Sequence, residues 1–113
     1  KHPMTIWTGD SRANFDWAFD HAVTISQQFK QRFKKEHKSS RILRVLEKEY
    51  ELQTVNIPDI GFTPPPQCMP DDYKCDNYVK AYRKYYWNDK KYFAKWDKGI
   101  EAPAWWLDLQ SVA

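Results

Sequence analysis

The sequence predicts a small all-α protein. Three observations support this: apolar residues recur at intervals of three and four, no stretch alternates for long with a period of two, and residues suited to helix caps precede the periodic segments. The length of 113 residues suggests a single domain, residues 1–113. We expect a small bundle of two long helices and one or two short ones, with a long proline-rich loop that wraps over the core.

The first half of the chain predicts three helices. A short helical turn should begin near His2, because Pro3 suits a first-turn position, and end at Gly9, which suits a C-terminal cap. Asp10 or Ser11 would then cap a second helix. That helix should run from about Arg12 to His37 with a stripe formed by Phe15, Ala18 or Phe19, Ala22, Ile25, Phe29 and Phe33. Ser39-Ser40 offers the next cap, for a helix from about Arg41 to Glu51 that carries Ile42, Val45, Leu46 and Tyr50 on one face.

Residues 53–76 form a long stretch without periodicity. Five of the seven prolines lie here, and proline has a fixed φ and no backbone donor, so no regular element should persist. The stretch also carries apolar side chains, and we therefore expect it to pack over the core. Cys68 and Cys75 lie within it, either as two reduced thiols or as one local bridge.

A further helix should begin after Asp76 or Asn77, run to about Trp96 and end at Lys98-Gly99. It is rich in both aromatic and basic residues. The residues at helical spacing are expected to form its buried stripe: Val79, Tyr82, Tyr86, Phe93 and Trp96. The tail that follows is apolar, so Trp105 and Trp106 should dock back on the helices.

The net charge of +3 is mild, but the basic residues are unevenly placed. The segment from Lys30 to Lys48 contains eight Lys or Arg against two Glu, and the segment from Lys80 to Lys98 contains seven against two Asp. Two basic tracts on separate helices are typical of a nucleic-acid footprint. The competing interpretation is two solvated helix faces whose charge is incidental.

Most catalytic chemistries find no support in the sequence. The three glycines are scattered, no Gly-x-Ser-x-Gly turn is present, and His2, His21 and His37 lack metal-ligand spacing, so neither a cofactor nor a metal is expected. Asp16 and Asp20 are one helical turn apart and could act as a carboxylate pair, although two solvated acids are the favoured interpretation. No apolar run is long enough to span a membrane.

The interleaving of aromatic and basic residues is the strongest functional signal. Rings can stack on exposed bases, and Lys and Arg release counterions at phosphates. A core can cover only one side of the ring belt at Tyr82 to Trp87, so some rings should be exposed; the alternative is that loop and tail bury the helix on both sides. The predicted nucleic-acid-binding residues are Lys30, Lys34, Lys35, Lys80, Arg83, Lys84, Tyr85, Trp87 and Lys91.

Three blocks of residues carry a family resemblance. The first is His2-Pro3…Ile6-Trp7 with Ser11-x-x-Asn14-x-x-Trp17, and the second is Gly61-Phe62-Thr63-Pro64…Gln67-Cys68-Met69-Pro70-Asp71. The third is Ala81-Tyr82-Arg83-x-Tyr85-Tyr86-x-x-x-Lys90-x-x-Phe93-Ala94-x-Trp96…Pro103-x-Trp105-Trp106. Together they resemble small bacteriophage proteins of the pyrimidine-dimer DNA glycosylase-like type, over about residues 2 to 106. The resemblance implies a compact all-helical protein that binds DNA, with an aromatic-basic segment similar to Tyr82 to Tyr86.

The catalytic residues of that family are not matched. Phage endonuclease V-type enzymes use an N-terminal α-amine as the nucleophile, assisted by a glutamate in the first helix. Family members carry a further segment before the His-Pro block, Lys1 is not the small residue that this chemistry uses, and the first glutamate is Glu36. We therefore expect no catalytic residue here: either the chain is inert, or it is the C-terminal part of a longer DNA glycosylase/AP lyase.

These observations lead to one functional expectation and one alternative. The expectation is a phage DNA-binding protein related to DNA repair, which acts in the host cytoplasm and binds either DNA non-specifically or damaged DNA. The alternative, of a different class, is a non-enzymatic phage accessory or virion-associated protein that docks a phage or host protein through its aromatic surface.

Overall fold

The computed structural model describes residues 2–51 and 56–112, and every regular element in these two ranges is helical. The predicted all-α class is therefore confirmed. The expectations that concern Lys1 and residues 53–55 lie outside the described residues. The five α-helices are α1 Pro3–Asp10, α2 Arg12–Phe33, α3 Ser39–Glu51, α4 Tyr78–Asp89 and α5 Ala104–Val112, and short 3-10 turns span Asp71–Tyr73 and Lys91–Phe93.

The chain is organised as two compact units, Lys1–Pro66 and Gln67–Ala113. The first unit contains α1, α2 and α3, and the second contains α4 and α5. The single domain stays a prediction.

The helix caps follow the local sequence. The Nδ1 atom of His2 accepts a hydrogen bond from the Met4 N–H at 3.1 Å, and Pro3 occupies the first position of α1. Ser11, one of the two predicted candidates, caps α2 by accepting from the Asn14 N–H at 3.1 Å. Asn77 caps α4 in the same way. These bonds satisfy backbone donors that a helix N-terminus otherwise leaves without partners.

The second predicted helix ends earlier than expected, at Phe33 and not at His37. Lys34 adopts a left-handed conformation with φ 57°, and its N–H donates to the Lys30 carbonyl at 2.8 Å. His37 is needed elsewhere: its Nδ1 atom accepts from the Ser39 N–H at 3.0 Å at the start of α3. Its ring also packs edge-on against Phe29, with 4.8 Å between the ring centroids. The predicted Ser39-Ser40 cap was therefore wrong, because His37 serves the first turn of α3.

The aromatic-basic helix is also shorter than predicted, because α4 ends at Asp89 and not near Trp96. The Lys90 N–H still bonds to the Tyr86 carbonyl at 3.0 Å, but the chain then enters a 3-10 turn. It bends again where Lys98 and Gly99 both have positive φ, 54° and 83°. This path allows α5 to pack within the same unit.

A fully buried asparagine joins three segments of the first unit. The Asn14 Nδ2 group donates to the Trp7 carbonyl at 3.0 Å and to the Thr63 hydroxyl at 2.9 Å, and its Oδ1 atom accepts from the Thr63 N–H at 3.0 Å. The Trp7 indole N–H donates to the Thr63 carbonyl at 3.0 Å. The network thus connects α1, α2 and the proline-rich segment, and every polar group of the Asn14 side chain has a partner.

Aromatic packing surrounds this network. Trp7 is buried and makes edge contacts with Trp17 and Phe62, each with 5.5 Å between ring centroids. The proline-rich segment also contacts the start of α2. Its Pro58 carbonyl accepts a hydrogen bond from the Arg12 N–H at 2.8 Å, and the neighbouring Ile57 is buried. The described part of the proline-rich stretch in this unit therefore packs on α1 and α2, as expected.

The predicted apolar faces of α2 and α3 are only partly buried. Ile25 and Phe33 of α2 are exposed, and so are the three aliphatic residues predicted to share a face of α3, Ile42, Val45 and Leu46. Tyr50 is half-buried and stacks on Phe15 with 4.7 Å between ring centroids. The α2–α3 contact therefore uses Tyr50 and not the aliphatic part of the predicted face.

In the second unit the buried residues differ from the predicted stripe. Ala81 and Trp106 are buried, whereas Val79, Tyr86, Phe93 and Trp96 are exposed and Tyr82 is half-buried. The prediction was therefore wrong for Val79, Tyr86 and Phe93, whereas Tyr82 accepts a hydrogen bond from the Cys68 N–H and Trp96 packs against Trp106. Docking of the tail is confirmed: Trp106 contacts three indoles, with ring centroids at 4.9 Å from Trp87 and 5.5 Å from both Trp96 and Trp105.

The Asn14 network predicts a large effect of one substitution. Asn14→Ala removes three hydrogen bonds and leaves buried groups of Trp7 and Thr63 without partners, so we expect a loss of about 3 kcal/mol of unfolding free energy. Urea denaturation measures it. Asn88→Ala is the matched control, because Asn88 is exposed and its side chain donates to the Lys84 carbonyl within its own helix. It should cost less than about 0.5 kcal/mol. Equal losses in the two variants would contradict the assigned role.

The tryptophan cluster predicts a similar cost in the second unit. Trp106→Ala should destabilise this unit by about 3–5 kcal/mol, because a buried indole is lost and a cavity is left among its neighbours. Tyr92→Ala is the control, since Tyr92 is 84% exposed and should tolerate truncation. Thermal unfolding followed by circular dichroism compares the two. A melting temperature for Trp106→Ala equal to that of the control would show that this cluster does not hold the unit together.

Candidate nucleic-acid interface

Several basic residues lie on one face of α4. Lys80, Arg83, Lys84 and Trp87 are three or four positions apart and therefore lie on the same side of the helix. The three cations are exposed and Trp87 is half-buried. Lys91 belongs to the 3-10 turn that follows. We call these five residues the α4 basic face.

Three cations of this face lie over aromatic rings of the same unit. The Lys91 Nζ atom lies 3.9 Å from the centroid of the Trp87 ring. The Arg83 guanidinium carbon lies 5.4 Å from the Trp105 ring, and the Lys84 Nζ atom lies 5.9 Å from the Tyr73 ring. A cation within about 6 Å of a ring centroid is attracted by the ring quadrupole. The rings thus favour particular positions of these long side chains.

The α4 basic face is not neutralised by carboxylates. Within residues 2–51 and 56–112, none of its cations forms an ion pair. Two carboxylates of the unit have other partners: Asp71 pairs with Lys74 at 2.8 Å, and Asp89 accepts a hydrogen bond from the Tyr73 hydroxyl at 2.8 Å. Like charges four residues apart on a helix are mildly destabilising. An anion bound between them would relieve this repulsion.

The two predicted stacking residues are both half-buried and both in contact with other groups. Trp87 meets Trp106 at its edge and Lys91 at its face. Tyr85 stacks with Tyr86 at 5.8 Å between ring centroids and contacts the Tyr73 ring at 5.7 Å.

The predicted basic residues of the first unit lie in a different setting. Lys30, Lys34 and Lys35 are exposed, and Lys30 lines an open groove of about 280 Å³ between α2 and α3. Two carboxylates line the same groove, those of Glu36 and Glu47. Arg44 lines the groove as well and pairs with Glu36 at 3.4 Å, so charges of both signs meet there.

No family model, no curated protein and no solved structure matches this chain.

Three residues of the interface were missed by sequence reasoning. Tyr73 and Trp105 support cations of the α4 basic face, and Lys90 lies 5.5 Å from the centroid of the Tyr85 ring. Lys90 could have been found, because it belongs to the same basic tract. No local signal pairs Arg83 with Trp105, because the two are far apart in sequence and meet only in the folded unit.

Other chemistries find little in the described part of the chain. No group of three or more potential metal ligands is present there, and none of its helices is long and apolar enough to cross a bilayer.

Asp16 and Asp20 are exposed, and Asp16 interacts with the Tyr50 hydroxyl, whose pKa is raised first by burial and then by that carboxylate. Cys68 and Cys75 form no disulfide with each other.

The hydrogen bond between Tyr73 and Asp89 generates a pH prediction. This bond, followed by lost hydration and nearby negative charge, raises the pKa of Tyr73 above its ordinary value of 10.0. A raised folded-state pKa means that the stabilisation is present below the unfolded pKa and is lost as pH rises through the folded one. The tyrosinate absorbance of the wild type minus that of Tyr73→Phe should therefore titrate above pH 10.0.

Asp89→Asn tests the cause of that shift. It removes the charged acceptor, so the same difference titration should move back toward lower pH. An unchanged midpoint in the Asp89→Asn background would show that the carboxylate is not responsible.

Proposed function

We propose that this chain is a DNA-binding protein that contacts DNA through the α4 basic face. The observation that carries the proposal is the set of exposed cations, Lys80, Arg83, Lys84 and Lys91, which form no ion pairs within the described residues. Three of the four are held over aromatic rings. Such a surface favours a polyanion, because each phosphate contact releases counterions from the DNA.

The rings improve this surface by limiting the motion of its cations. Ordering a free lysine or arginine side chain on binding costs conformational entropy. Arg83, Lys84 and Lys91 each lie over a ring before any ligand arrives, so part of that ordering has already occurred. The local arrangement supports the proposal, whereas the net charge does not, because residues 67–113 contain eight Lys or Arg and seven Asp or Glu.

The wider context of the proposal comes from the sequence resemblance. The three blocks resemble phage proteins of the pyrimidine-dimer DNA glycosylase-like type, so the proposal includes a phage origin, action in the host cytoplasm and a role related to DNA repair. No catalytic residue is proposed. The side chains of Lys30, Lys34 and Lys35 are secondary candidates for DNA contact, because acidic residues share the groove that Lys30 lines.

One observation favours a second candidate function, a phage accessory or virion-associated protein that binds another protein. Tyr92 is 84% exposed and Phe93 is 56% exposed, and their rings contact each other at 5.2 Å. Adjacent exposed rings are typical of protein-binding surfaces. If the chain fails to bind any oligonucleotide at low salt, this candidate replaces DNA binding.

Charge removal on the α4 basic face should weaken DNA binding and its salt dependence. For the wild type, the affinity for a fluorescein-labelled duplex should fall steeply between about 50 and 200 mM salt. The Lys80→Gln/Lys84→Gln double variant should reduce the slope of log affinity against log salt by about two, because two phosphate contacts are lost. Fluorescence anisotropy at several salt concentrations measures both quantities.

The matched control is Lys38→Gln/Lys48→Gln. It removes the same charge from exposed lysines of the first unit, outside the predicted site residues. It should leave the slope within about half a unit of the wild-type value. If both double variants lower the slope equally, the α4 basic face is not the site and binding follows net charge alone.

A further inference from the structure

We propose that the α4 basic face binds the sugar-phosphate backbone and does not stack bases. The inference rests on the proposed function and specifies its ligand class: a phosphodiester chain read as a series of charges, whatever bases it carries. It reverses the sequence-based expectation that Tyr85 and Trp87 receive bases.

The surroundings of Trp87 carry most of this inference. A base stacks on a ring by covering its face at van der Waals distance, so that face must be open. The Lys91 ammonium lies 3.9 Å from the Trp87 centroid, which is direct contact with the ring face. Trp106, itself buried, meets the same indole at 4.9 Å with an interplanar angle of 72°. Trp87 therefore supports a cation and packs the core of its unit.

Tyr85 is engaged in a comparable way. Its ring is nearly parallel to that of Tyr86, with an interplanar angle of 26°, and it also contacts the Tyr73 ring. The Lys90 ammonium lies 5.5 Å from its centroid. Both predicted stacking residues thus already have ring or cation neighbours within the unit.

A ligand can reach each cationic group from the side that faces away from the aromatic ring. An ammonium or guanidinium that rests on a ring still directs hydrogen-bond donors away from it, and a phosphate oxygen can accept them. Lys80 and Lys84 are four residues apart on α4, so their charges can follow successive phosphates. This arrangement matches the spacing of charges along a phosphodiester chain.

The experiment compares two single strands that differ only in their bases. One is a labelled thymidine oligomer of about 12 nucleotides, and the other is an abasic tetrahydrofuran oligomer of the same length and label. Anisotropy titrations of the full 113-residue chain at about 50 mM salt give both affinities. We expect the two to agree within about threefold, because a single stacked base typically changes affinity by about fivefold or more.

Each outcome decides a different question. A preference for the thymidine oligomer larger than about threefold overturns the inference but leaves DNA binding intact. Absence of binding to both oligomers and to a duplex at low salt overturns the proposed function itself.

A Tyr92→Ala variant adds an independent check, because Tyr92 is the most exposed ring of the unit and lies beside Lys91. It should change neither affinity by more than about twofold. If it selectively weakens the thymidine oligomer, then a base stacks on Tyr92 and the inference fails.

Discussion

The hydrogen bonds of Asn14 are the interaction on which the first unit depends. Three apolar residues of this unit, Trp7, Ile57 and Pro65, are buried among those described, so its interior is small. A buried carboxamide is costly unless its donors and acceptor are all used, and here they are divided between Trp7 and Thr63. This requirement fixes how α1, α2 and the proline-rich segment meet. Asn14 and Thr63, in the sequence blocks Ser11 to Trp17 and Gly61 to Pro64, therefore have an architectural role.

The interior of the second unit is also small, and aromatic rings form most of it. Trp106 is buried among three other indoles, and the rings around it extend to the surface, where they meet cations. A single aromatic set therefore has two tasks: its inner members supply the apolar area that few aliphatic residues could provide, and its outer members hold Lys and Arg side chains in place. This explains the high aromatic content of the chain without requiring that each ring bind a ligand.

The candidate site was partly predictable. Lys80, Arg83, Lys84 and Lys91 could be identified from the sequence because helical spacing and charge are both local properties. The role of Trp87 could not, because it depends on Trp106, which is distant in sequence and reaches the ring only after the tail folds back. Likewise, Lys30 looked equivalent to the α4 lysines until the structure placed the carboxylates of Glu36 and Glu47 in its groove.

The sequence by itself determined the all-α class, the start of α2 and α4 at Ser11 and Asn77, and the break at the prolines, because caps, periodicity and missing backbone donors act within a few residues. Only the tertiary structure decided where helices end and which faces are buried. α2 ends at Phe33, where Lys34 takes a left-handed conformation, and α4 ends at Asp89 as the chain turns toward α5. Which faces are buried depends on partners distant in sequence, as Trp87 depends on Trp106, and no local pattern encodes those contacts.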